Sequence, residues 1–293
     1  MKKNALFVFV LFITGNLFAQ SVNKNPGFQQ GQSMKITMDT KTTISQQASG
    51  QSIDFNVNGS AVHSYKVTNT NSDNSTLHHE VNRIRFDFDG MGQSKSFDSD
   101  VQKDMDGPLG KPIQATLKKT FDMIVDPAGK VLLVKPEKFA GEEMDGPMKL
   151  MANMLKEVFD VVQPPAVGTN SFFKILPDHS ISKGDSWSET IETAEGKINN
   201  NYTLSDITDS TLVIDIAGTS VTNSRLEMMP GMEIAFLLNN KSNGKIIIDR
   251  KNNLPKERIL NTESNGTMQG MGGETPIISK STITTKIEID KTR

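Results

Sequence analysis

SMKITMDTKTTIS, residues 33–45, places Met34, Ile36 and Met38 on one side of an extended chain and Lys35, Thr37 and Asp39 on the other. A two-residue period belongs to a half-buried strand, because successive side chains of a pleated backbone point to opposite faces. The alternation recurs in Ser52 to Val57, Val62 to Thr68, Leu77 to Asp89 and Ala115 to Val125. It resumes after Trp187 in Thr190 to Ala194, Ile198 to Ile207, Thr211 to Val221, Glu233 to Leu238, Lys245 to Asp249, Lys256 to Thr262 and Pro276 to Asp290. Asn58-Gly59, Asp89-Gly90, Asp126 to Gly129 and Asn243-Gly244 read as reversals between antiparallel strands. Thr, Ser, Asn and Ile fill the strands where Ala, Glu and Leu would mark helices. The expected fold is mainly β (α+β): a large curved antiparallel sheet, a half-barrel or open barrel, with one amphipathic helix packed on it.

Pro147 to Val162 departs from this pattern. Met151, Met154, Leu155, Val158, Phe159 and Val162 recur at helical spacing, and the run ends just before Pro164-Pro165. Pro147 suits a first helical turn, and Asp145 caps it or favours its positive end. The spacing predicts one helix of about four turns. It forms a connector (about 145–163) between strand-rich halves, about 31–140 and 171–291, of a single domain spanning 20–293.

The chain begins with Lys2 and Lys3, an apolar run from Ala5 to Ile13, and Asn16-Leu17-Phe18-Ala19 before Gln20. This is the layout of a signal peptide over residues 1–19. A bilayer core of about 30 Å needs roughly 20 apolar residues, so the run is too short to serve as a retained anchor. The expected protein is therefore exported, periplasmic or extracellular, and not membrane-spanning. Without Lys2 and Lys3, 30 basic residues face 34 acidic ones, which gives no steering field for nucleic acid. The chain has no cysteine, which excludes disulfides, thiolate metal sites and a lipidated cysteine. Its core must hold by burial, and a chain of this size buries about three-quarters of its unfolded surface.

Catalytic and metal-binding patterns are sparse. His78 and Glu80 share one face of their strand and His79 takes the other, so a zinc site would need His63 as a third ligand from a neighbouring strand. Asp87, Asp89, Asp98, Asp100, Asp104 and Asp106 crowd one stretch but miss the spacing of a calcium-binding loop, and a solvated acidic loop is the stronger reading. There is no Gly-x-Ser-x-Gly elbow, and Gly270-Met271-Gly272-Gly273 leads into a strand rather than a phosphate-cradling helix. The expectation is no enzyme, no cofactor and no metal. Methionine stands out, with groups at Met34 and Met38, at Met144 to Met154, at Met228 to Met232, and at Met268 and Met271. Flexible thioethers fill irregular cores, and they also suit surfaces that adapt to apolar ligands.

Ile181-Ser182-Lys183-Gly184-Asp185-Ser186-Trp187, preceded by Phe172 to Pro177, resembles the Lys-Gly-Asp-Ser-Trp signature of uncharacterised exported bacterial proteins of the Bacteroidota kind. The resemblance implies a second strand-rich half after the signature and carries no activity. At the level of architecture, the expected sheet and helix are similar to periplasmic lipoprotein carriers, whose curved sheet and covering helices enclose a lipid cavity. Trp187 is expected to close one end of the core, with its N–H on a carbonyl. The leading expectation is non-enzymatic binding of a lipid or other apolar ligand between sheet and helix, with Met148, Met151, Leu155 and Phe159 as the adaptable wall. The alternatives are an envelope structural or protein-interaction module with a fully packed core, acting on an envelope protein through its strand edges, and a hydrolase with scattered residues.

Overall fold

The alternating segments all enter one antiparallel sheet. The computed structural model describes residues 25–48, 51–90, 92–138, 154–193, 196–229, 231–270 and 273–290. Its strands are β1 Ser33–Ala48, β2 Gln51–Thr70, β3 Ser75–Gly90, β4 Gln93–Asp98, β5 Thr120–Val125, β6 Val131–Lys135, β7 Ser186–Thr193, β8 Gly196–Ile207, β9 Thr211–Met229, β10 Met232–Asp249, β11 Pro255–Gly270 and β12 Gly273–Asp290. They run β6-β5-β3-β2-β1-β12-β11-β10-β9-β8-β7 across the sheet, with β4 beside β3. The first and last of these strands therefore pair at its centre, from Ser33 with Asp290 to Gln46 with Ile277. The sheet is mainly β, open and large, as its periodicity predicts.

Several boundaries differ from the sequence reading. Asn58-Gly59 and Asn243-Gly244 lie in mid-strand, within β2 and β10, and reverse nothing. Gly59 meets another need, since a Cβ there would stand 2.5 Å from Val158 Cγ2 and 2.8 Å from Leu155 Cδ2. Ala115 to Val125 is not one strand: α2, Gly110–Leu117, precedes β5. Pro112 falls in the first turn of α2, where its missing N–H costs nothing, and Gly110, Ile113 and Thr116 are its buried residues. A short α1, Gln102–Met105, precedes it.

Of the predicted connector helix, α3 spans Lys156–Asp160, and residues 139–153 lie outside the described residues, as do residues 1–24 with the expected signal peptide. Leu155, Val158 and Val162 join Met38, Val57, Ala61, Ile84, Phe86, Phe97 and Ile113 in one buried cluster. The helix thus packs on the inner face of the sheet. The helices sit on the first half: α1 on β4, α2 on β3, α3 on β1 and β2. Among the described residues, no helix is long and apolar enough to cross a membrane.

The segment after α3 crosses to the second half. Gly168 N–H donates to Val131 O (2.8 Å), and Val131 N–H donates to Thr169 O (2.9 Å), so this segment covers the edge of β6. Phe173 then enters a cluster with Met34, Ile36, Tyr65, Phe121 and Ile287. Leu176 and Ile181 enter a third, with Leu204, Leu212, Ile214, Ile216, Ile246 and Ile248.

Candidate ligand-binding face

Register decides which side chains share the inner face of β7–β12. Met38 opposes Thr285, Thr285 opposes Arg258, Arg258 opposes Ile246 and Ile246 opposes Ile214, so these five form one row. The next row holds Ile283, Leu260, Gly244, Ile216, Tyr202 and Trp187. Above it comes a belt of small polar residues: Ser281, Thr262, Ser242 and Gly218, then Ser279, Ser264, Asn240 and Ser220. At the far end the wall turns apolar again with Leu238, Phe236, Met268, Ile234 and Leu226. The inner face is therefore banded: apolar, hydroxyl-rich, apolar.

Much of the belt satisfies itself. Thr42 Oγ1 and Ser281 Oγ lie 2.9 Å apart, as do Ser242 Oγ and Thr262 Oγ1, and Asn240 Nδ2 donates to Ser220 Oγ (3.0 Å) and Thr222 Oγ1 (2.9 Å). These cross-strand pairs consume donors and acceptors that would otherwise demand water. The far apolar band is half-exposed at Leu226, Ile234, Phe236, Leu238 and Met268, unlike the cluster beneath α3. Small side chains in the belt and half-exposed large ones beyond it shape a wall that a ligand can lie against.

Charge enters this wall at two points. Glu189 on β7 accepts from Tyr202 Oη (3.1 Å) and from Asn170 Nδ2 (2.6 Å). Burial, then the Glu189 charge, push the Tyr202 phenol up to about 12, against the pull of Arg258. Arg258 is surrounded by protein yet keeps part of its surface in water, and burial lowers its pKa against the opposing influence of Tyr202 and Glu189. Trp187 stacks on Tyr202, with centroids 5.5 Å apart and planes at 16°. Lys-Gly-Asp-Ser-Trp is the turn that delivers it. Gly184 takes a φ of 94°, Asp185 Oδ2 accepts from Ser182 N–H (2.8 Å), and Gly184 N–H donates to Leu204 O (2.8 Å).

The residues singled out from the sequence are dispersed. Leu155 is closed off in the core against Gly59, and Phe159 is half-buried beside it. Met148 and Met151 lie outside the described residues. His78 points outward to Asp122 (2.8 Å) and Glu80 accepts from Ser64 (3.0 Å), whereas His79 points inward. There His79 Nε2 meets His63 Nδ1 at 2.9 Å, so the zinc set never assembles. Among the described residues, no three His, Asp or Glu side chains converge as metal ligands would. In the acidic stretch Asp98 is bound to Arg83, which holds its carboxyl below the usual range, and Arg83 also reaches Asp100 (3.0 Å).

Sequence reasoning missed Arg258, Glu189 and Tyr202. The signal was the parity of β11, where Arg258, Leu260 and Thr262 share one face and Ile259 the other. Only pairing tells which face is inward, and here the isoleucine is the exposed residue.

A family model described as "Family of unknown function (DUF6263)" matches residues 72–255. No curated protein matches the chain. Among solved structures it is similar to lipovitellin, in a structure titled "Lipid-protein interactions in lipovitellin", at 10% identity and a TM-score of 0.49. That match covers 91% of this chain and 26% of the other, so this chain spans only a fraction of that protein. It is also similar to an outer membrane channel from Pseudomonas putida F1, at 6% identity and a TM-score of 0.26, covering 90% of this chain and 98% of the other.

Proposed function

The chain belongs to the DUF6263 family of unknown function, and we propose that it is a non-enzymatic protein, exported from the cytoplasm, that binds a lipid-like amphipathic molecule on the inner face of β8–β12. The observation that carries this reading is the half-exposed apolar band of Leu226, Ile234, Phe236, Leu238 and Met268 at the far end of the inner face. The described helices stand on the other half of the sheet. The contact between α3 and the sheet is filled by Leu155, Val158 and Val162. Under the described part of the helix the face is filled, and this reading sets the ligand on the face beside it. Large apolar groups left in water favour a partner by about 25 cal/mol per Å² covered.

The test is direct. The chain from residue 20 onward, purified from the exported fraction, should release lipid on solvent extraction, identified by mass spectrometry. Titration with a fatty-acyl probe should change the fluorescence of Trp187, the single tryptophan. Leu238→Glu, which sets a charge in the apolar band, should weaken the probe by about tenfold or more. An extract free of lipid and a silent titration would instead favour an interaction module. That second reading rests on β7, an edge strand whose residues are mostly exposed.

A further inference from the structure

Arg258 stands among Thr285, Ile246, Leu260 and Ile283, none of which carries a charge. Its guanidinium makes no hydrogen bond or ion pair among the described residues. Glu189, the carboxylate that influences it, is already engaged by two neutral donors, Tyr202 and Asn170. A guanidinium partly withdrawn from water with no acceptor on its N–H groups is under-satisfied, even with the Glu189 charge in its surroundings. Arginine presents five donors in a fixed fork, which suits a planar carboxylate or a phosphate.

We propose that Arg258 receives the carboxylate or phosphate of an anionic amphiphile, whose apolar part leaves Leu260 and Ile283 along the inner face toward the half-exposed band of Leu238 and Phe236. This inference rests on the ligand-binding reading above and names the chemistry of the headgroup. The neighbouring Glu189 tempers the site: its negative charge opposes an incoming anion, while its bond to Tyr202 holds the aromatic pair of Tyr202 and Trp187 beside the headgroup. Trp187 is thereby a built-in reporter.

The experiment uses the chain from residue 20 onward, with Trp187 fluorescence read against laurate, dodecyl phosphate, methyl laurate and inorganic phosphate. Laurate and dodecyl phosphate should bind at least about tenfold more tightly than neutral methyl laurate, a difference within the range of one charge-assisted hydrogen-bond pair. R258Q should bind all three amphiphiles alike, and R258K should keep most of the preference. E189Q, which retains an acceptor for Tyr202, should tighten the charged amphiphiles. Equal binding of charged and neutral amphiphiles by the natural chain, or a preference that survives in R258Q, overturns the role of Arg258 and leaves the ligand-binding reading standing. Inorganic phosphate binding as tightly as dodecyl phosphate overturns the amphiphile and makes this a free-anion site. Silence towards every amphiphile overturns both readings together. Should R258Q fail to fold, the natural chain's preference and its retention in R258K still decide the matter.

Discussion

His63 and His79 face each other inside the first half of the sheet, stacked among Tyr65, Phe121 and Phe173. Burial pushes the His63 ring down to about 4, and burial with the neighbouring His63 and His78 pushes His79 down to about 3. Both rings are therefore neutral at pH 7, and one donates to the other. His63 Nε2 and His79 Nδ1 remain buried with no partner among the described residues. The titratable neighbours are Tyr65 across the register and His78 on the opposite face. Because both values lie below that of a free histidine, about 6.5, the unfolded chain binds protons that the native chain refuses. Stability is then full above pH 6.5 or so and falls as pH drops, by up to about 1.4 kcal/mol per unit for each ring. A melting series from pH 7 to 5 should show this slope. The double variant H63L/H79F, apolar at both positions, should flatten it, and equal slopes in both proteins would refute the assignment. H79F alone strands a buried nitrogen of His63 and should cost about 1–3 kcal/mol at pH 7.

At the scale of elements, the strands were legible because alternation needs only local sequence, as Met34-Lys35-Ile36 shows. The connector was legible in kind: Leu155, Val158 and Val162 face the sheet as their spacing predicts. What could not be read was context. Asn-Gly marks a turn only where the flanking strands end, and around Gly59 and Gly244 they continue. Arg258 looks like a surface residue beside Ile259 until β10 and β12 fix its face. The two glycines separate in their expected cost. An alanine at Gly59 meets the flexible ends of Val158 and Leu155, which shift with α3, so G59A should lose about 1–3 kcal/mol. An alanine at Gly244 would set its Cβ 1.9 Å from the Ile259 carbonyl oxygen, which is backbone and must carry β11 with it. G244A should therefore lose more than G59A in urea unfolding, and the reverse order would place the constraint in the helix contact instead.

For the whole molecule, the decisive contact is the central seam, where β1 and β12 join halves that are otherwise consecutive along the chain. Its register pairs residues 231–257 positions apart in sequence, such as Met34 with Ile289. Contacts of such separation form only after a large loop closes, so the seam is expected to assemble late in folding. The two faces of β12 test it without truncation. Ile287, 7% exposed, opposes Ile36 in the first core cluster, whereas Ile278, 50% exposed, points outward. A lysine at Ile287 would be a buried cation with no counter-charge on its row, at a cost of about 3–5 kcal/mol. For a chain of this size each kcal/mol moves the melting temperature by about 2–4 °C, so I287K should melt roughly 10 °C lower. I278K leaves the seam alone and should melt within about 2 °C of the natural chain, since surface changes stay near 0.5 kcal/mol. The opposite order, with I278K melting well below I287K, would mean that the parity of β12, and with it the inward placement of Arg258 across from Thr285, is reversed.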